Sequence, residues 1–150
     1  MSALKESIGE ATKDAMRARA KERLGALRLI NAEIKRVEVD TRKVLSDDDI
    51  LQILNRMLKQ RQDSLQQYEA AGREDLAAVE RQEVAVIREF MPAPLSEAEL
   101  EAEIDAAVTA SGASSPKDMG AVMNVLRPRV QGRADMGQVS ARVKARLSGG

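Results

Sequence analysis

Apolar residues recur along this chain at alternating steps of three and four, the spacing that lines one face of an α-helix. Leu4, Ile8, Ala11, Ala15 and Ala18 make the first stripe; Leu24, Leu27, Ile30, Ile34 and Val37 make the second, in a segment from Ala20 to Val37. The RARAKER stretch between them holds no Pro and is followed only by Gly25, so the pattern leaves open one bent helix or two separate ones. From Val39 to Leu45 the period is lost. Ser46-Asp47-Asp48-Asp49 then reads as a capping box with Asp in place of Glu, its carboxylates at the positive end of a helix dipole. Capping explains this acidic run better than a hard-cation site, because no Gly turn or set of loop carbonyls surrounds it.

A third helix runs through Ile50, Leu54, Met57, Leu58, Leu65 and Tyr68 to Gly72, expected at C′. A fourth, from Asp75 to Phe90, places Leu76, Val79, Val84, Ile87 and Phe90 inward. Two prolines in Met91-Pro92-Ala93-Pro94-Leu95 end it and mark a domain boundary, giving a helical N-terminal domain over 1–92 and a tail domain over 93–150. The tail reads as three short helices. The first, 97–111, opens at Ser96-x-x-Glu99 and closes at Gly112; the second, 116–127, follows Ser115 with Pro116 at its first position; the third, 136–147, opens at Asp135-x-x-Gln138. A loop from Pro128 to Ala134 joins the last two, and Ser148-Gly149-Gly150 reads as a frayed end. No segment reads as a strand, so the expected fold class is all-α, about four helices followed by three.

Composition sharpens this. With one Phe, one Tyr and no Trp, the interior must be built from Leu, Ile, Val, Met and Ala, a palette that favours helices packed on helices. The absence of His and Cys excludes a Ser-His-Asp triad, a Cys-His dyad, a disulfide framework and the usual zinc ligand sets. Any enzyme would have to work with carboxylates, Lys or Tyr68, and no catalytic residue, metal ligand or cofactor is assigned. Charges every few residues at the N-terminus rule out a secretory h-region, and no run approaches a membrane span, so a soluble cytoplasmic protein with no membrane partner is expected.

One charged cluster falls on apolar faces. Arg61 lies inside the third helix's stripe, between Met57 and Leu65, while Glu80 and Glu83 lie on the inward side of the fourth. An antiparallel hairpin would let Arg61 meet one or both carboxylates, a structural ion pair; the competing reading is a catalytic carboxylate pair or metal ligands. Arg28 and Asn31, at the edge of the second stripe, read as snorkelling flank residues.

Net charge is zero, but the zero is assembled unevenly. Residues 1–92 hold 17 basic and 17 acidic side chains, whereas Leu95–Asp118 carries −5 and Met119–Gly150 carries +5. Five of the six basic residues in that last segment are Arg, whose planar fork suits phosphate. The charge pattern supports two readings: a phosphate-contacting patch, or an acidic helix neutralising a basic one within the tail.

Several stretches resemble the GatB/YqeY family, stand-alone helical proteins similar to the C-terminal helical and tail region of the B subunit of Asn/Gln transfer RNA amidotransferase. They are Glu22-Arg23-Leu24-Gly25-Ala26-Leu27-Arg28, KQRQDSLQQYEAAGREDLAAVERQEVAVI from Lys59, Met91-Pro92 before Leu95-Ser96, and ASSPKDMGAVMNVLRPRVQGRADMGQVSARVKARL from Ala113. The resemblance implies a helical domain followed by a three-helix tail, and a tail that reaches transfer RNA while other domains transfer the amide. Carried over by position, the RNA-binding residues are Lys117, Arg127, Arg129, Arg133, Arg142 and Arg146, with Gly120 and Gly132 as close-packing or turn residues and Asp135 as a cap. Carbon–nitrogen ligase activity with glutamine as amido donor is the family label. Nothing in this chain resembles the acyl-activating cradle or the Ser-Ser-Lys amidase, so the expectation is a non-catalytic module that binds transfer RNA or a transfer RNA-bound enzyme. The alternative is a protein–protein adaptor with no RNA role.

Overall fold

A computed structural model describes residues 2–149. The fold is all-α, with seven α-helices among the described residues: α1 Ala3–Arg17, α2 Lys21–Thr41, α3 Asp47–Ala70, α4 Glu74–Arg88, α5 Glu97–Ser111, α6 Met119–Val130 and α7 Met136–Ser148, with a 3-10 turn at Pro116–Asp118 before α6. They form two compact units, Met1–Met91 and Pro92–Gly150, each with its own aliphatic core.

In the first unit α3 and α4 form a hairpin, and α2 packs on both α1 and α4. Ile8, Leu27, Ile30, Ile50, Leu54 and Ile87 are fully buried there. The end of α3 shows how the hairpin closes. Gly72 adopts φ +69°, the Gly72 amide donates to the Glu69 carbonyl (3.1 Å) and the Arg73 amide to the Tyr68 carbonyl (2.9 Å), a Schellman motif that satisfies the last carbonyls.

α1 and α2 are separate helices, joined through an unexpected residue. Arg19 takes the left-handed conformation (φ 55°), with its amide on Met16 and that of Ala20 on Ala15. This is the same C-terminal motif with Arg where Gly is usual, which is why no punctuation marks the boundary. α2 continues beyond Val37 through the segment that loses its period, ending at Thr41 with Arg42 left-handed (φ 54°). That last turn has left the core, since Val39 is exposed, and Arg36 stitches it by pairing with both Glu33 and Asp40. Leu45, in the connection to α3, is nevertheless buried.

At the start of α3 the capping box forms as expected, Ser46 Oγ accepting from the Asp49 amide (3.2 Å) and Asp49 Oδ2 from the Ser46 amide (3.0 Å). Asp47 has a different task. Its carboxylate accepts from the Ser2 hydroxyl and the Leu4 amide (3.1 Å), so the start of α1 is tied to the start of α3. Asn31, expected at the flank, instead donates to Thr12 Oγ1 (2.9 Å) and links α2 to α1.

In the second unit α5 and α7 both pack on α6 around Ile104, Val122, Leu126, Val130, Val139 and Val143. Pro128 does not begin a loop; α6 runs through it to Val130. The proline lies on the exposed side in the last turn, where solvent takes over the carbonyl left without a donor. Gly132 turns the chain (φ 78°), and the Arg133 carbonyl accepts from the Leu95 amide (2.8 Å), fastening the following loop to the unit's entry strand of chain. α7 includes Ser148, and Gly149 still donates to Ala145 (2.8 Å); Gly150 lies outside the described residues. Among the described residues no helix is long and apolar enough to cross a membrane.

A non-Gly residue at C′ carries left-handed backbone strain, so Arg19→Gly is expected to raise unfolding free energy by roughly 0.5–1 kcal/mol, the relief being partly offset by a more flexible unfolded chain. Arg19→Val should lower it. Urea denaturation followed by far-ultraviolet circular dichroism checks both.

Candidate nucleic-acid interface

The six basic positions assigned to RNA stand in different local settings. Arg127 and Arg129, two residues apart on α6, point to different sides of the helix. Arg129 reaches α5, with its guanidinium 3.8 Å from Glu103. Arg133 holds the backbone, its Nε donating to the Ala93 carbonyl at 3.0 Å. On α7, Arg142 forks to Glu101 (3.0 Å) and Glu97 (3.2 Å), and Arg146 is hydrogen-bonded to Asp105.

The acidic and basic halves of the tail thus face one another along matched rails. Glu97, Glu101 and Asp105 recur every four residues on α5, as do Arg142 and Arg146 on α7, beside the buried Val139, Val143, Leu147 row. These pairs stand at the surface, with Glu97 89% and Arg142 31% exposed, where an ion pair is worth between about zero and 1 kcal/mol.

Lys117 and Arg127 differ. Both are exposed, and among the described residues neither has a carboxylate within ion-pair distance. Lys117 sits in the 3-10 turn that precedes α6, and Arg127 stands near the end of α6. Gly120, Ala121 and Asn124 are the exposed residues between them. Asp118 organises the cation-bearing turn. It accepts from the amides of Ser114 (2.9 Å) and Ser115 (3.2 Å), and these bonds hold its carboxyl below the usual range.

In the first unit Arg61 lies between α3 and α4, with Nε donating to Glu83 Oε2 at 2.9 Å and Nη1 to the Met57 carbonyl at 3.3 Å. Both partners are only about one-sixth exposed (16% and 17%). Glu80 is not brought into hydrogen bonding. Its Oε2 is buried with no hydrogen-bond partner, and burial, then the neighbouring Glu83 charge, push its carboxyl up against the opposing pull of Arg61. Among the described residues no three His, Cys, Asp or Glu side chains group to hold a metal ion.

The buried residues of α4 are Ala77, Val86 and Ile87, with Glu80 and Val84 half-buried, and Val79, expected inward, is 52% exposed. Ala77, two residues earlier, is fully buried. Val79 borders a groove between α2 and α4, with Leu29 on the opposite wall and Gly25 and Ala26 on its floor. Sequence reading missed this groove, although Gly25, early in α2, was a usable signal. A Cβ there would meet nothing within 4 Å, so packing does not require glycine.

These features define a small all-helical protein of two compact units with charge-bearing surfaces. The chain belongs to the family described as Yqey-like protein, whose model matches residues 5–147. It is also 30% identical over 79 residues to an uncharacterised protein of Schizosaccharomyces pombe (strain 972), an alignment covering 53% of this chain and 64%, just under two thirds, of that relative.

Two outcomes follow from the α3–α4 cluster. A double-mutant cycle of Arg61→Met and Glu83→Gln, measured by urea denaturation, should return a coupling of about 1–2 kcal/mol, and strict additivity would refute the contact. For Glu80 the folded carboxyl holds its proton more tightly than the unfolded one. Its favourable contribution is therefore present at acid pH and lost as pH rises through the raised value. Glu80→Gln should accordingly raise Tm near neutral pH, with the gain shrinking towards about pH 4, as read from parallel thermal melts.

Proposed function

We propose that this chain is a non-catalytic module that binds transfer RNA, or an enzyme carrying it, through its C-terminal unit. The observation that carries the reading is the exposed face from Lys117 to Arg127, two cations without acidic partners among the described residues, flanking small side chains that leave room for a backbone to approach. The stretch that bears them, Ala113–Leu147, is also the most specific of those that resemble the family, and the resemblance implies a tail directed at transfer RNA. In the same unit Arg129, Arg142 and Arg146 are paired with carboxylates of α5, and Arg133 is held on the Ala93 carbonyl. No base-stacking aromatic is available there, so contact would be with phosphate and shape. The carbon–nitrogen ligase chemistry of the larger enzyme is not assigned to this chain.

The α2–α4 groove favours a second reading, a protein adaptor, because Leu29 and Val79 are among the few large apolar side chains left at the surface. Affinity for transfer RNA should fall with salt, and Lys117→Gln with Arg127→Gln should weaken binding about tenfold and reduce the slope of log affinity against log salt by about 2. Unchanged binding would refute the RNA reading. A protein partner retained on the immobilised chain after ribonuclease treatment, and lost in Leu29→Glu, would favour the adaptor.

A further inference from the structure

We propose that α5 is a built-in competitor for the arginines of α7: Glu97, Glu101 and Asp105 occupy the guanidinium forks of Arg142 and Arg146, so that a polyanion engages these two side chains only by displacing the carboxylates. The inference rests on the RNA reading of the C-terminal unit and adds its regulation.

Three observations carry it. The first is register. Carboxylates at 97, 101 and 105 rise about 6 Å per step along α5 and meet arginines at 142 and 146 with the same step along α7. The second is geometry. Arg142 uses both terminal nitrogens, one on each of two carboxylates, the same donors a phosphate would take. The third is exposure. Arg142 and Arg146 are 31% and 40% accessible and their acidic partners 54–89%, so the pairs sit where solvent and a large polyanion can reach them. Surface pairs of this kind are weak individually and exchange readily. Because the rail stands on α5 and the arginines on α7, displacement needs only side-chain rotation, and both helices keep their packing on α6.

The cover makes the unit neutral in sum and selective in action. A single anion replaces one weak pair at a time and gains little. A strand of phosphates, offering several charges at once, competes well. Exposed Lys117 and Arg127 would make first contact, and the arginines of α7 would follow as the carboxylates swing away.

The test compares the full chain with a triple variant, Glu97→Gln, Glu101→Gln and Asp105→Asn, for binding to transfer RNA and, separately, to inorganic polyphosphate. The same net charge change placed elsewhere, Glu6→Gln, Glu22→Gln and Asp63→Asn, controls for total charge. The expected result is that the α5 variant binds polyphosphate about tenfold more tightly than the control variant, with a salt slope steeper by about 2. Adding Arg142→Gln and Arg146→Gln to the α5 variant should abolish the gain while circular dichroism shows its helices intact. Equal affinities for the α5 and control variants, or a gain that survives loss of both arginines, would overturn the competitor role. Failure of the RNA reading looks different: transfer RNA would then bind no more tightly than polyphosphate of equal charge in every variant, whatever the α5 rail does.

Discussion

An interior without large rings dictates the rest of this protein. Aliphatic side chains fill space only when they interlock closely, and helices presenting narrow stripes of Leu, Ile, Val and Ala achieve this by lying flat against one another. The constraint explains why each unit has its own compact aliphatic cluster. It also explains the placement of charge. Arg61 can enter the hairpin only because Glu83 stands within 2.9 Å to receive it. Glu80, drawn into the same row without a hydrogen-bond partner for its buried oxygen, carries the cost of that tight packing.

Helix existence was legible from periodicity, and most helix ends from chemistry. Ser46, Ser96 and Gly112 were readable because their side chains, or lack of one, do a local job at a terminus. Where the same job is done by an unexpected residue, legibility fails. Arg19 ends α1 in a conformation that glycine usually supplies, and Pro128 sits inside α6 because its lost hydrogen bond falls on the solvent side. The last turn of α2 carries no apolar stripe because it has no core to face, and ion pairs along its own surface sustain it.

The charged features were legible to different depths. Arg61 stood out because a guanidinium on an apolar face requires a partner, and helical geometry limits who that partner can be. The tail was harder. Summing charge by segment separated −5 from +5, but it could not say which cations remain available once the helices pack. The shared four-residue spacing of Glu97, Glu101 and Asp105 with Arg142 and Arg146 was present in the sequence, yet it acquires meaning only when α5 and α7 share α6 as a neighbour. Asp47 is similar: its bond to Ser2 depends on where two helix starts meet in space.

The two aliphatic cores also divide the molecule optically. Tyr68 and Phe90, the only aromatic side chains, both belong to the first unit, and no aromatic residue lies beyond Met91. Near-ultraviolet dichroism and tyrosine emission therefore report the tertiary state of the first unit alone, while far-ultraviolet dichroism sums the helices of both. The natural chain thus contains its own spectroscopic label for deciding whether its two units melt together or apart.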